Sequence, residues 1–303
     1  MKKVIYDCDN TFGLPNRDVD DGLTLLYLLG QSELNLLGVT LTHGNGTLAE
    51  VKRATDRLKA KLGLNFPTYL GAESKNVASP AAEFLVQQVN TYPGEVTVIG
   101  TGALSNLAAA QALDPDFFKK VAQVILMGGT IEPLKVNHHA VDELNFASDP
   151  QAAKATILAQ APLAIMNGHM TAEAFFSAKQ KEQLLATLQP LLTPEAQQFI
   201  AQTLSHWIQW NQRVFHFNGF CNWDMTTALY VTQPELFTSE QVFLHQNQPL
   251  LNVGEMVFDD ASVYPVTMPK HLLDLKTFNN LMIAGIAAGF AKPGQEVQHH
   301  GKN

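Results

Sequence analysis

An α/β fold, a mainly parallel open sheet with helices on both faces, is the class this sequence predicts, on three observations. Short β-rich runs alternate with helical patterns from the first residue onward, the pattern of strand–helix–strand units. Several of those runs end in polar residues, as at Asp7-Cys8-Asp9 and Thr101-Gly102, and the carboxyl edge of an open sheet is where ligands bind. Over 177–222 the pattern changes to helix only, so a helical cover from the C-terminal half is expected beside the sheet.

Strands are expected at 3–6, 36–41, 95–99, 124–127 and 163–166, each a short apolar run. Between the second and third lies a helix with both ends marked. Thr47 and Glu50 have capping-box spacing, and Gly63 supplies the stop. Its apolar positions Leu48, Val51, Ala54, Leu58 and Leu62 share one face. Another helix starts near Ser105-Asn106 and stops before Asp114-Pro115, and Asp149-Pro150 opens a third that runs to about Ala159. Thr193-Pro194-Glu195 is a start signal inside the helical stretch. No linker, repeat or low-complexity segment divides the chain, so 1–303 is expected to be a single domain, with a frayed polar tail at 296–303.

The 303 residues are 46% hydrophobic and 16% charged, which suits a packed globule with a substantial core and excludes a disordered chain. A net charge of −8 with no block of Lys or Arg argues against nucleic acid as a partner. Cys8 and Cys221 are the only cysteines, so a structural disulfide is not expected, and this fits a reducing, cytoplasmic setting. No apolar stretch reaches the length of a membrane span, and no signal peptide follows Met1.

The densest chemical signal is acidic. Asp7 and Asp9 end an apolar strand, and Asp20 and Asp21 precede the apolar run that starts at Leu23. Carboxylates gathered at one strand end repel each other unless a cation sits among them, and oxygen ligands of this kind suit Ca²⁺ or Mg²⁺ rather than zinc. Other polar constellations follow strands: His43-Gly44-Asn45, Thr101 to Asn106, 137–145, and Trp223-Asp224. Each has a plainer alternative. Ser105-Asn106 reads as a helix cap and His43 as a satisfied turn histidine, while Trp223 reads as a buried aromatic and Asp224 as an ordinary N-cap.

Taken in order, these pieces resemble the inosine-uridine-preferring nucleoside hydrolase family. The likeness runs from Asp7 to about Phe237. It comprises the Asp-x-Asp…Asp-Asp opening, Gly44-Asn45, Thr101-Gly102-Ala103-Leu104-Ser105-Asn106 and Met127-Gly128-Gly129. Asn137, Glu143-Leu144-Asn145, Asp149-Pro150, Trp223-Asp224 and Pro234-Glu235-Leu236-Phe237 follow. The resemblance implies a Rossmann-like core and hydrolysis of the N-glycosidic bond of a ribonucleoside to ribose and free base. It implies Ca²⁺ held by Asp9, Asp21, Asp224 and the carbonyl of Thr101, with Asp7 supporting from behind. Asp9 would also be the general base, with Asn45 orienting the water. Asp20 and Asn145 would hold ribose hydroxyls, and Asn137 and Glu143 the 5′-hydroxyl. A homodimer or homotetramer is also implied.

Two features depart from the family pattern. The loop between Asp9 and Asp20 is longer than usual and carries Asn10, Phe12, Pro15, Arg17 and Asp18. The histidine that many members place before the last metal aspartate is Trp223 here, as in purine-preferring members, where tryptophan stacks on the base. No second ring is evident, since 72–82 holds no aromatic; Phe12, Trp207, Trp210, Phe215 and Phe217 are open for that role. His43, His138, His139 and His216 are open as acids for the leaving base. A Mg²⁺-dependent phosphatase of the haloacid dehalogenase class is the rival, with Asp7-Cys8-Asp9-Asn10-Thr11 as its motif and Asp259-Asp260 as its late acidic pair. A nucleoside- or ribose-binding protein without turnover is the other.

Overall fold

The computed structural model describes residues 1–72 and 78–291, so the tail at 296–303 and part of the aromatic-free stretch at 72–82 lie outside it. In chain order the first half comprises β1 (Lys2–Cys8), α1 (Asp20–Gly30), β2 (Leu34–Leu41), α2 (Leu48–Leu62), β3 (Thr68–Leu70), α3 (Pro80–Thr91), β4 (Val96–Gly100), α4 (Ser105–Leu113), α5 (Phe117–Lys120) and β5 (Gln123–Met127). Next come the short pair β6 (Lys135–Val136) and β7 (His139–Ala140), then α6 (Pro150–Ile157), β8 (Leu163–Met166), α7 (Gly168–Thr171) and β9 (Phe175–Ser177). The remainder is α8 (Ala178–Leu188), α9 (Pro194–Val214), β10 (Gly219–Cys221), α10 (Met225–Thr232), β11 (Gln241–Phe243), β12 (Pro265–Thr267) and α11 (Leu275–Ala291).

Eight strands form one sheet in the order β11-β12-β8-β5-β4-β1-β2-β3. Only β11 and β12 pair antiparallel; the other neighbours are parallel. From β1 the chain builds outward through β2 and β3, then returns to place β4 on the other side of β1. That reversal is a topological switch point, and it opens a crevice at the carboxyl ends of β1 and β4. Side chains of β1 alternate between the two faces of the sheet. Val4, Tyr6 and Cys8 enter the core beneath α1, α9, α10 and α11, whereas Ile5 enters the core beneath α3, α4 and α6.

All five strands expected from sequence are present. The α2 signals hold as read: Thr47 and Glu50 form the reciprocal capping box, and Gly63 closes the helix in left-handed backbone at φ 64°. Asp149 caps α6 through its carboxylate, accepting from Ala152 N. The helix-only reading of 177–222 needs correction, because β10 lies inside that span and pairs antiparallel with β9. Three-residue strands are too short to show an alternation. The short strands β11 and β12 escaped notice for the same reason, and α11 because it is apolar on nearly every side. It packs on α1 where Gly30 meets Gly285 and Gly289, with no room for a Cβ at Gly30.

Candidate active site

Five aspartates converge where the carboxyl end of β1 meets the starts of α1 and α10: Asp9, Asp18, Asp20, Asp21 and Asp224. Carboxylate oxygens of Asp20, Asp21 and Asp224, all buried, lie within 4.8 Å of one another. Asp9 shares a hydrogen bond with the Asp21 carboxyl, and Asp18 shares one with Asp20. The Asp224 amide donates to Asp20 Oδ2 at 3.0 Å. Asp224 does occupy the N-cap position of α10, but its side chain makes no capping bond. Its carboxylate is therefore available to the cluster.

Burial raises the carboxyl of Asp9 to about 6. Asp18, Asp21 and Asp224 stand well above the usual carboxylate range, through lost hydration first and their neighbours' charge second. Carboxyls packed this closely stay ionised together only around a cation. An all-oxygen, all-carboxylate donor set fits a hard divalent ion.

Asp9 is fully buried beneath Asn45, whose backbone N and Nδ2 donate to its two oxygens at 2.5 and 3.4 Å. Gly44, at φ 151°, permits this approach; a Cβ there would run into the Asp9 carboxylate. Thr101 Oγ1 lies 2.7 Å from Asp21 Oδ1, and Tyr6 donates its hydroxyl to the same oxygen at 3.0 Å. Asp7 stands behind the cluster. Its Oδ1 accepts from Thr40 Oγ1 at 2.5 Å and Asn106 Nδ2 at 2.7 Å, and burial raises its carboxyl to about 7. Asn106 also donates to the Leu41 carbonyl at 3.1 Å. The cap reading of Ser105-Asn106 is thereby overturned: α4 has no side-chain cap, and Asn106 ties β1, β2 and α4 together.

A cavity of about 100 Å³ opens over the acidic cluster, lined by Asp18, Asp20, Asn45, Glu143, Asn145, Trp223 and Asp224 among others. Asn145 is oriented by its Nδ2, which donates to the Met127 carbonyl at 3.0 Å. The Glu143 carboxylate accepts four backbone amides, from Gly129, Asn145, Phe146 and Ala147. It thus braces the loop that presents Asn145. Asn137 is not brought to either cavity at this site; it is exposed and donates to the Phe215 carbonyl at 2.6 Å.

A second cavity of about 250 Å³ adjoins the first, sharing Asp18, Asn45, Val141, Leu144 and Trp223 with it. Its far wall is aromatic: Trp207, Trp210, Phe215 and Phe217, the rings whose role was open in sequence. Trp207 and Trp210 stack at 4.6 Å, and Phe215 and Phe217 lie parallel at 5.9 Å. Phe12 is instead a core residue against Phe199. His139 and His216 lie behind the wall, beside Phe215 and each other, whereas His43 faces Ser105 Oγ at 3.3 Å. Asn211 and Arg17, which line the aromatic cavity, went unassigned in sequence because nothing in their spacing marks them.

The phosphatase alternative fails on geometry. Its nucleophile would be Asp7, which has no exposed surface and is held by two donors. Its late acidic pair follows β11, at the sheet edge, with four strands between β11 and β1.

A profile of the inosine-uridine preferring nucleoside hydrolases matches residues 4–280. The chain belongs to that family. Over 268 residues this nucleoside hydrolase is 27% identical to probable uridine nucleosidase 2 of Arabidopsis thaliana, a match covering 78% of this chain and 79% of that protein. Its fold is that of a solved plant nucleoside hydrolase, PpNRh1, at a TM-score of 0.78 and 21% identity, over 96% of this chain and 99% of the other. It is similar also to a purine-preferring ribonucleoside hydrolase from Gardnerella vaginalis, at a TM-score of 0.77 and 22% identity, over 95% and 99% of the two chains. No helix among the described residues is long and apolar enough to cross a membrane.

Proposed function

We propose that this nucleoside hydrolase cleaves ribonucleosides in a Ca²⁺-dependent reaction, with Asp9 as general base and a preference for purines. The observation that carries the reading is the continuity of the two cavities, a carboxylate-rich one for the sugar and an aromatic one for the base.

Asp9, Asp20, Asp21 and Asp224 would hold the ion, with Thr101 beside Asp21. Asp20 joins this set because its carboxylate offers an oxygen within 4.8 Å of oxygens of Asp21 and Asp224. A bound calcium would keep the carboxylates ionised and orient the ribose diol. The chain's own groups account for the rest. Asn45 holds Asp9 through both carboxylate oxygens, fixing the orientation in which it takes a proton from water. Asn145 offers its remaining amide valence to a ribose hydroxyl. Bond cleavage places positive charge on the anomeric carbon and ring oxygen, an oxocarbenium-like state, and the surrounding carboxylates stabilise it where it forms.

Trp223 spans both cavities and supplies a stacking face for the base, with Trp210, Phe215 and Phe217 across the space. The large flat wall favours a purine, although a uridine nucleosidase is among the relatives. The test is a panel of inosine, guanosine, uridine, cytidine and 2′-deoxyinosine, assayed for free base and reducing sugar with and without EDTA. Expected are ribose release from the ribonucleosides, faster for purines, loss on chelation and recovery with Ca²⁺. Turnover of 2′-deoxyinosine equal to that of inosine, or activity indifferent to EDTA, would refute the sugar site as drawn.

A further inference from the structure

The lengthened loop between Asp9 and Asp20 is built rather than slack. Asn10 accepts from the Phe12 amide at 3.0 Å and donates to Thr55 Oγ1 at 3.1 Å. Thr11 Oγ1 donates to the Asp18 carbonyl at 2.9 Å, and the Leu14 amide to the Thr11 carbonyl at 2.9 Å. From α2, Arg57 donates to the Gly13 carbonyl at 3.2 Å, and Phe12 is buried against Phe199 of α9. These bonds hold the loop against the aromatic cavity, which Asn16, Arg17 and Asp18 help to line, and set two adjacent residues to different tasks. Asp18 faces the acidic end, and Arg17 lines the aromatic end with Trp207 and Trp210.

Arg17 is the one cationic side chain among the residues lining that cavity. It is exposed, no described residue forms an ion pair or hydrogen bond with it, and its charge helps to lower the Glu50 carboxyl. A guanidinium has five donors and no acceptor. At the end of a cavity where the opposite end is carboxylate, it is complementary to an acceptor on which negative charge collects.

We propose that Arg17 receives the departing base, its guanidinium donating to the ring carbonyl oxygen of an oxo-base such as hypoxanthine or uracil. The proposal rests on the hydrolase reading above and adds a specificity to it. In the reaction, the bond from the anomeric carbon to the base nitrogen breaks with its electron pair leaving on the base. A bond from the water oxygen to the anomeric carbon forms, and the water's proton passes to Asp9. The pair left on the base delocalises onto the carbonyl oxygen, where Arg17 stabilises it, and the base takes its proton from solvent after departure. No proton is asked of the guanidinium. Adenine, which carries an amine donor where hypoxanthine carries its carbonyl, gains no such contact, so inosine is preferred to adenosine.

The experiment compares wild type with Arg17→Ala on inosine, adenosine, uridine and 4-nitrophenyl riboside, whose leaving group is already a stable anion. Losing a cationic donor to developing charge lowers kcat by about 100-fold on inosine and uridine, and by less than about fivefold on 4-nitrophenyl riboside. KM moves little, the preference for inosine over adenosine collapses, and added guanidinium restores part of the lost kcat. Equal losses on all four substrates, or none, would overturn the proposal by making Arg17 a loop residue only. Intact turnover of 4-nitrophenyl riboside by the variant shows that it has folded. A wild type that liberates ribose from nothing in the panel would overturn the hydrolase reading and this proposal together; an active wild type with an indifferent Arg17→Ala overturns this proposal alone.

Discussion

Asp9 and Asp7 are two residues apart, on one strand end, and do different work because of what lies above each. Asp9 faces Asn45 and Asp21, whereas Asp7 faces Thr40 and Asn106. Replacing Asp9 by Asn keeps the shape and one acceptor but removes the carboxylate that the proposed function makes the base. The expected outcome is a kcat on inosine lower by about 100-fold or more, with an unchanged circular dichroism spectrum; retained turnover would move the base elsewhere. Asn106 is the complementary case, a residue whose amide serves the scaffold. Asn106→Ala strips a donor from the buried Asp7 carboxylate and from the Leu41 carbonyl, which costs about 1–3 kcal/mol. Urea denaturation measures this, and a variant as stable as wild type would show that the bonds are replaced by water. The pairing of Asn106 with Asp7 could not be read from sequence, since 99 residues separate them.

Elements that carry their own punctuation were legible, and those that borrow their order from neighbours were not. Helix α2 was readable at both ends because Thr47, Glu50 and Gly63 act locally. Thr47 is exposed, so Thr47→Ala tests the cap alone. It should lower stability by about 1 kcal/mol and leave kcat on inosine within about twofold of wild type. A larger kinetic effect would mean that α2 positions the Gly44-Asn45 turn as well. The strands β9, β10, β11 and β12 have three residues each, and their pairing partners lie in distant sequence. The aromatic wall was legible only as a set of open candidates, because α9 and the turn at 215–217 converge on Trp223 through the packing of α9 against α2 and α8.

At the scale of the whole molecule, a sheet edge that gathers this many carboxylates couples stability to pH and to cation binding. Asp7 stands at about 7 and Asp9 at about 6 in the folded state, against 3.8 ordinarily. In metal-free protein the folded state therefore holds more protons than the unfolded one between roughly pH 4 and pH 7. Their contribution to stability is greatest at the acid end of that window and falls as pH rises through it, then levels off above about 7. A cation that needs ionised carboxylates acts in the opposite sense. Calcium is thus expected to raise the melting temperature of EDTA-treated protein strongly at pH 7.5 and little at pH 4.5, as read by scanning fluorimetry. An equal shift at both pH values would argue that calcium binds outside the acidic cluster.

The sequence by itself determined what acts locally: the alternation that makes the parallel sheet, the α2 caps, and the acidic residues at the end of β1, together with the ordered motifs that mark the family. Tertiary structure decided the rest. Only the packing of α10 against α1 sets Asp224 beside Asp20 and Asp21, more than two hundred residues away. Only the folded loop lays Arg17 against the aromatic cavity. The physical reason is that hydrophobic periodicity and caps depend on neighbours within a few residues. Convergence of charges depends instead on how distant elements pack.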